Sequence, residues 1–308
     1  MSESETTREK PPKPPGKIPA NIPAKPAAKS MRAVTPPAGV PALLFTDIEA
    51  RLRGRPLVVM LDIDGTLCDI AQTPDDALVS GETREILQQL VRTPDVHVAL
   101  ITGRSVADAL RLVGIEGVHV YGNHGIEVAN PAGVIEIDSV ARDAEVALRG
   151  AVAALRPVVQ EQPGALLEDK RYTLSLHYRT APRDTVRTLR KTVNDVAKKF
   201  GLQVTEGSCV LELRPPHAAD KGRAVLRLAN ELGANTADAS ILFAGDDVTD
   251  EDAFRALRAR LPHAVTISIG YRVASTSARY RLDDPGALQQ LLAQLLARRI
   301  FFARGTVP

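Results

Sequence analysis

The feature that most constrains this chain is a set of short, unbroken apolar runs, each ending abruptly on polar groups. Leu57-Val58-Val59-Met60-Leu61 runs into Asp62-Ile63-Asp64-Gly65-Thr66, and Val96-His97-Val98-Ala99-Leu100-Ile101 into Thr102-Gly103-Arg104. A third run, Ile241-Leu242-Phe243-Ala244, ends on Gly245-Asp246-Asp247. Runs this short, apolar at successive rather than alternate positions, read as strands buried on both faces. Helical patterns lie between them. Ile86, Leu87, Leu90 and Val91 fall on one helix face, Ser105-Val106-Ala107-Asp108 offers a capping-box-like start, and a helix over Glu251 to Arg260 follows the third strand. Strand alternating with helix implies an α/β fold, a doubly wound parallel sheet with helices on both faces. In such sheets the functional groups sit just beyond the C-terminal ends of the strands.

The middle of the chain has a different rhythm. After a helix near Ala144–Val159, strands are expected around Leu166–Glu168 and Thr173–Arg179. A helix over Thr185–Phe200 and strands at Leu202–Glu206 and Cys209–Arg214 follow. Strands in adjacent pairs indicate an antiparallel α+β layer, and about ninety residues is too long for a loop. The expectation is a discontinuous core over residues 42–126 and 217–300, interrupted by an α+β cap over 127–216. Residues 1–41 hold ten of the 22 prolines. Such a segment has too little apolar surface to offset its ordering entropy. It reads as a disordered or extended tail, either passive or a docking arm.

A length of 308 residues suits two domains with some extra chain. The formal net charge of +2 argues against a dedicated nucleic-acid binder. No apolar run approaches the roughly 20 residues that span a bilayer, and the N-terminus lacks the apolar stretch of a signal peptide. Cys68 and Cys209 lie far apart with no metal-ligand spacing, as in reduced thiols. A cytoplasmic protein without membrane or nucleic-acid partners is expected.

Four groups at the strand ends carry the chemistry. Asp62 and Asp64 flank one residue where an apolar strand runs into a glycine. One such carboxylate could be a cap, but two placed together repel and call for a cation, and hard oxygen ligands suit Mg²⁺. Thr102-Gly103-Arg104 places a hydroxyl and backbone N–H groups at a strand-to-helix turn, a cradle for phosphate. Lys221 opens a helix, where a cation is unfavourable unless an anion lies beside it. In Asp246-Asp247-Val248-Thr249-Asp250-Glu251-Asp252, acids in a first helical turn account for Glu251 and Asp252, but not for Asp246 directly after a buried strand. Each group alone has a bland alternative. Together they supply a nucleophile, an acid/base, a phosphate clamp, a cation and a metal site.

The ordered set Asp62-x-Asp64-Gly65-Thr66, Thr102, Lys221 and Gly245-Asp246-Asp247 resembles the haloacid dehalogenase superfamily, over residues 56–297. That resemblance implies that Asp62 is a phosphoryl-accepting nucleophile and that Asp64 serves as acid, then base. It also implies that Thr102 and Lys221 hold the phosphoryl oxygens. Mg²⁺ would be held by Asp62, the backbone carbonyl of Asp64 and Asp246, with Asp247 or Asp250 in support.

Further segments narrow the resemblance. Gly122-Asn123-His124-Gly125, Leu167-Glu168-Asp169-Lys170, Leu176-His177-Tyr178-Arg179 and Val210-Leu211-Glu212-Leu213-Arg214-Pro215 follow in order. The succession is similar to the trehalose-6-phosphate phosphatase family. It implies a sugar-phosphate substrate read by Glu168, Lys170, His177, Arg179, Glu212 and Arg214, with Lys170 and Glu212 foremost and Arg104 and His124 nearer the phosphate. Glu212 and Arg214 alternate with leucines and so share a sheet face, although an ordinary solvated face would look the same. The resemblance leaves room for functional coupling to trehalose-6-phosphate synthase. Other readings are a capped phosphatase acting on sucrose or mannose phosphates, and a catalytically silent sugar-phosphate-binding regulatory module. The presence of Asp62, Asp64, Lys221 and Asp246 together weighs against the last.

Overall fold

The computed structural model describes residues 42–207 and 209–304. The proline-rich segment over 1–41 therefore lies outside the described residues. Helix α1 (Ala42–Arg51) precedes strand β1 (Leu57–Leu61), whose five residues are all buried. Then come α2 (Gly81–Val91), β2 (Val96–Ile101), α3 (Val106–Val113) and β3 (His119–Gly122). Strands β4 (Glu127–Ala129) and β5 (Ile135–Ile137) follow, with the short α4 (Ser139–Asp143) behind them.

The next elements are α5 (Glu145–Gln160), β6 (Leu166–Asp169), β7 (Leu174–His177), α6 (Arg183–Phe200), β8 (Gln203–Gly207) and β9 (Val210–Arg214). The chain ends with α7 (Lys221–Glu231), β10 (Ser240–Gly245), α8 (Asp250–Arg260), β11 (Val265–Ile269), β12 (Tyr280–Leu282) and α9 (Pro285–Arg304). Among the described residues no helix is long and apolar enough to cross a membrane.

The larger sheet has the order β12-β11-β10-β1-β2-β3-β4-β5. Its pairings from β12 to β3 are parallel, most of them bridged by helices, while an irregular segment alone joins β11 to β12. Strands β4 and β5 extend it antiparallel. Residues 127–137, counted with the insertion on sequence, thus pair with the core sheet. The cause is local: the chain turns back at Asn123-His124, both at positive φ, and a hairpin return pairs most readily with the strand just left.

Because successive strand residues face opposite ways, β1 feeds two cores. Leu57, Val59 and Leu61 pack with Val96, Val98 and Leu100 under α1, α2, α3 and α9. Val58 and Met60 pack with Ala99, Ile101 and Phe243 under α7 and α8. Both faces of the central strand are sealed, so its C-terminal end is the first place where polar groups can gather.

The smaller sheet, β6-β7-β9-β8, is antiparallel. Leu174, Leu176, Leu211 and Leu213 bury one face against Leu148 and Leu155 of α5 and Leu189 and Val193 of α6. On the other face Glu168 pairs with Ser175, Ser175 with Glu212, and Glu212 with Thr205, so these four form a row across the sheet.

Candidate active site

The C-terminal ends of β1, β2 and β10 and the start of α7 border one cavity, and the polar row of the smaller sheet forms its opposite wall. Asp62 leaves β1 with its backbone N–H bonded to Ala244 O of β10, which fixes the strand end. Gly65 has φ +83, and a Cβ there would lie 2.2 Å from Oδ2 of Asp246. Gly245 is constrained in the same way, since a Cβ would lie 2.2 Å from Cγ of Asp250. Glycine at both positions lets three carboxylates crowd together, and one oxygen from each of Asp62, Asp246 and Asp250 falls within 4.8 Å of the others.

Lys221 balances this cluster. Its Nζ donates to Oδ1 of Asp62 and Oδ1 of Asp250, each at 2.7 Å, and all three residues are buried. Burial works against the ammonium charge, but Asp250 and Asp62 outweigh it and push the lysine pKa well above its ordinary value. Burial pushes Asp62 up to about 7 despite Lys221, with Asp246 adding to the rise. Asp246 is likewise pushed up to about 7 by burial and by the charges of Asp250 and Asp247. Asp250 is raised well above the carboxylate range, again chiefly by burial. One lysine does not neutralise these acids, and a divalent cation would let them stay ionised at neutral pH. The donor set is all oxygen, which suits a hard ion. Asp250 is a scaffold within it, for its Oδ2 accepts the backbone N–H groups of Asp246 and Asp247. Asp247 in turn accepts from the N–H and hydroxyl of Thr249.

Thr102 is buried at the end of β2, its N–H bonded to Tyr121 O and its Oγ1 accepting from the N–H of Arg104. Arg104 borders the cavity, but its guanidinium is already engaged. It donates twice to Asp64, at 2.7 Å each, and also to Asp108 and to the carbonyl of Pro74. Its first partner is therefore Asp64 and not the open cavity, because a carboxylate one strand away matches the planar fork.

His124, at φ 59 in the turn after β3, lies with Nε2 3.1 Å from Oε2 of Glu212. Lys170 donates to the carbonyl of Gly103 at 2.8 Å and lies 3.6 Å from Glu212 and 3.9 Å from Glu168. Burial works to raise Glu212, but His124, Lys170 and Arg214 hold it well below the usual carboxylate range. Glu168 accepts from Nε2 of His177 across 2.7 Å, and despite burial that bond and Lys170 lower its pKa. Asn123 ties the two sheets from behind: its amide donates to Glu127, and its carbonyl accepts from the Thr173 hydroxyl.

Of the residues named from the sequence, Asp62, Asp64, Thr102, Lys221, Asp246, Asp247, Arg104, His124, Glu168, Lys170, His177, Arg179 and Glu212 border this cavity. Asp250 lies directly behind it. Arg214 does not border it: the last residue of β9 donates to Ala219 O in the chain leading back to the core, because the strand leaves the cavity wall there. Sequence reasoning missed Arg272, whose Nη1 donates to Oδ2 of Asp246 at 2.5 Å. It also missed Thr205 and the segment 70–74, which border the cavity. Arg272 sits in an irregular segment with no periodic pattern, so nothing local marks it. Glu251, read as a helix-start acid, also anchors that segment through Thr276 and Ser277.

The trehalose-phosphatase family model matches residues 60–286. A trehalose-phosphate phosphatase of Mycobacterium tuberculosis is 35% identical over 249 residues, which cover 79% of this chain and 62% of that protein. A second protein of the same organism, named an uncharacterized glycosyl hydrolase, is 34% identical over 255 residues, 82% of this chain but 19% of its own length. The chain thus spans less than two thirds of either relative. The C-terminal domain of C. albicans trehalose-6-phosphate phosphatase has the same fold, with a TM-score of 0.72 at 24% identity over 83% of this chain and 97% of that one.

Proposed function

The chain belongs to the trehalose-phosphatase family, and from that premise we propose that it hydrolyses trehalose 6-phosphate to trehalose and phosphate through an aspartyl-phosphate on Asp62. The observation that carries this reading is one cavity with two unlike walls. The phosphoryl wall holds Asp62, Lys221 and Asp246; facing it, Glu168, Lys170 and Glu212 offer charged donors and acceptors suited to a polyhydroxylated sugar.

In this reading Oδ1 of Asp62 stays on Lys221 and Oδ2 attacks phosphorus. The P–O bond to the sugar breaks as the Asp62–P bond forms, and Asp64 delivers a proton to the departing sugar oxygen. Asp64 then takes a proton from water, whose oxygen attacks the aspartyl-phosphate and releases phosphate. Both oxygens of Asp64 accept from Arg104, so one of these bonds opens while Asp64 carries the proton and the other keeps it in place. Thr102 and Lys221 bind phosphoryl oxygens. Mg²⁺ would be held by Asp62 through the oxygen that does not attack, by the free oxygen of Asp246 and by the Asp64 carbonyl, and when bound it would offset the charge that keeps a phosphate ester from a carboxylate. Core residues 42–126 and 217–300 supply the phosphoryl chemistry and the insertion supplies the sugar contacts. A synthase that forms trehalose 6-phosphate would be the functional partner, as the source of the substrate.

The test is phosphate release from a panel of trehalose, sucrose, mannose and glucose phosphates, with Mg²⁺ and with chelator. Trehalose 6-phosphate should be turned over fastest, and only with the ion. Equal rates across the panel would overturn the substrate, and full activity in chelator would overturn the metal.

A further inference from the structure

Within the cluster of Asp62, Asp246 and Asp250, most carboxylate oxygens are already committed. Oδ1 of Asp62 and Oδ1 of Asp250 share the Lys221 ammonium. Oδ2 of Asp250 accepts two backbone N–H groups. Oδ2 of Asp246 accepts from Arg272. Among the described residues, two oxygens of the three carboxylates are left without a donor: Oδ2 of Asp62 and Oδ1 of Asp246. Neither residue can then chelate a cation with both oxygens unless it gives up an ion pair.

The segment that carries Arg272 is irregular in backbone but firmly bracketed. Gly270, at φ +65, donates to Leu282 O. Arg281 donates to the carbonyls of Gly270 and Val273, on either side of Arg272, and its guanidinium stacks on the ring of Tyr271. Glu251 of α8 accepts from Thr276 and Ser277 further along. This framework aims one guanidinium at one oxygen of Asp246. A partly exposed arginine elsewhere on a surface has no comparable support.

We propose that Arg272 is a positioning residue that sets the cation selectivity of the site by reserving Oδ2 of Asp246, so that the aspartate can offer a cation only its other oxygen. The physical reason lies in coordination. A small ion such as Mg²⁺ requires near-octahedral angles and takes one oxygen per carboxylate, whereas the larger Ca²⁺ accepts more ligands and binds carboxylates through both oxygens. Arginine suits the task because it is always charged and holds its donors in a rigid plane. The proposal rests on the reading of this cluster as a Mg²⁺ site and adds what keeps a larger ion out.

The test is calorimetric titration of MgCl₂ and of CaCl₂ into the full chain after chelator treatment, with wild type and the variants Arg272→Met, Arg272→Gln and Arg272→Lys. Arg272→Met should shift the ratio of the two dissociation constants toward Ca²⁺ by about tenfold, the scale of losing a group that orients a metal ligand. Arg272→Gln, too short to reach Asp246, should shift it alike, and either variant decides if the other does not fold. Arg272→Lys keeps a cationic donor and should recover part of the wild-type ratio. Removing one positive charge without any ligand effect would tighten both ions in parallel, so a parallel change, or none, overturns the proposal. If wild type binds neither ion, the metal reading itself fails, and the proposal with it.

Discussion

Nζ of Lys221 lies 2.7 Å from Oδ1 of Asp62 although 159 residues separate them in sequence. Lys221 is 3% exposed and Asp62 5%, so neither charge has much water to fall back on. The same ammonium also serves Asp250, and lying between the two acids it offsets their repulsion.

Lys221→Met should therefore destabilise the fold as well as stop turnover. Breaking a buried pair by removing one partner costs about 3–5 kcal/mol, which in a folded body of this size lowers the melting temperature by roughly 10 °C. Burial already pushes Asp62 up to about 7 and raises Asp250 further. Without Lys221 both acids are raised further, so ionising them above that value costs the variant more than the wild type. Calorimetric melting at pH 6 and pH 8 should show the larger deficit at pH 8. An equal deficit at both would mean that the lysine is not offsetting these charges.

Asp62→Asn should leave the fold intact and abolish turnover, because an amide cannot attack phosphorus. Asp64→Asn should also be severe, since both steps lose their proton carrier. Phosphate release above about one hundredth of wild type for Asp62→Asn would contradict covalent catalysis.

Lys170→Ala and Glu212→Ala should weaken turnover of trehalose 6-phosphate strongly and that of p-nitrophenyl phosphate far less. Their contacts act through remote binding energy that only a sugar ester can use. The structure sharpens the expectation: Lys170 bonds Gly103 O beside Thr102, and Glu212 lies against His124. Parallel losses on the two substrates would show that these contacts hold the core together and do not read a sugar.

The two free cysteines should differ in reactivity. Burial, together with the nearby Asp64 carboxylate, pushes the Cys68 thiol up to about 12, so it stays protonated at pH 8. Cys209 is only half-buried and borders the cavity. Iodoacetamide at pH 8, read by peptide mass spectrometry, should label Cys209 and spare Cys68, and trehalose should slow the labelling. Labelling of Cys68 at a comparable rate would contradict its burial against the Ile63 carbonyl.

Much of the fold was legible because its signals are local. An apolar run such as Leu57–Leu61 must be buried on both faces wherever it goes, and an acid directly after it has few places to lie except the strand's end. The paired strands of the insertion announced themselves in the same way. Residues 127–137 did not, since a three-residue strand carries too little pattern to say which sheet it joins. Asp250 and Arg104 were visible as chemistry-bearing side chains, but their partners were not.

The sequence by itself determined that Asp62, Asp64, Thr102, Lys221 and Asp246 stand at the ends of strands or the start of a helix, since run length, glycine and charge settle that over a few residues. Only the tertiary structure decided which of them touch. The order β10-β1-β2 brings Asp246 beside Asp62 and Arg104 onto Asp64, and an irregular segment delivers Arg272 to Asp246. Those pairings follow from which strands lie side by side, a matter of packing between distant segments that no local pattern encodes.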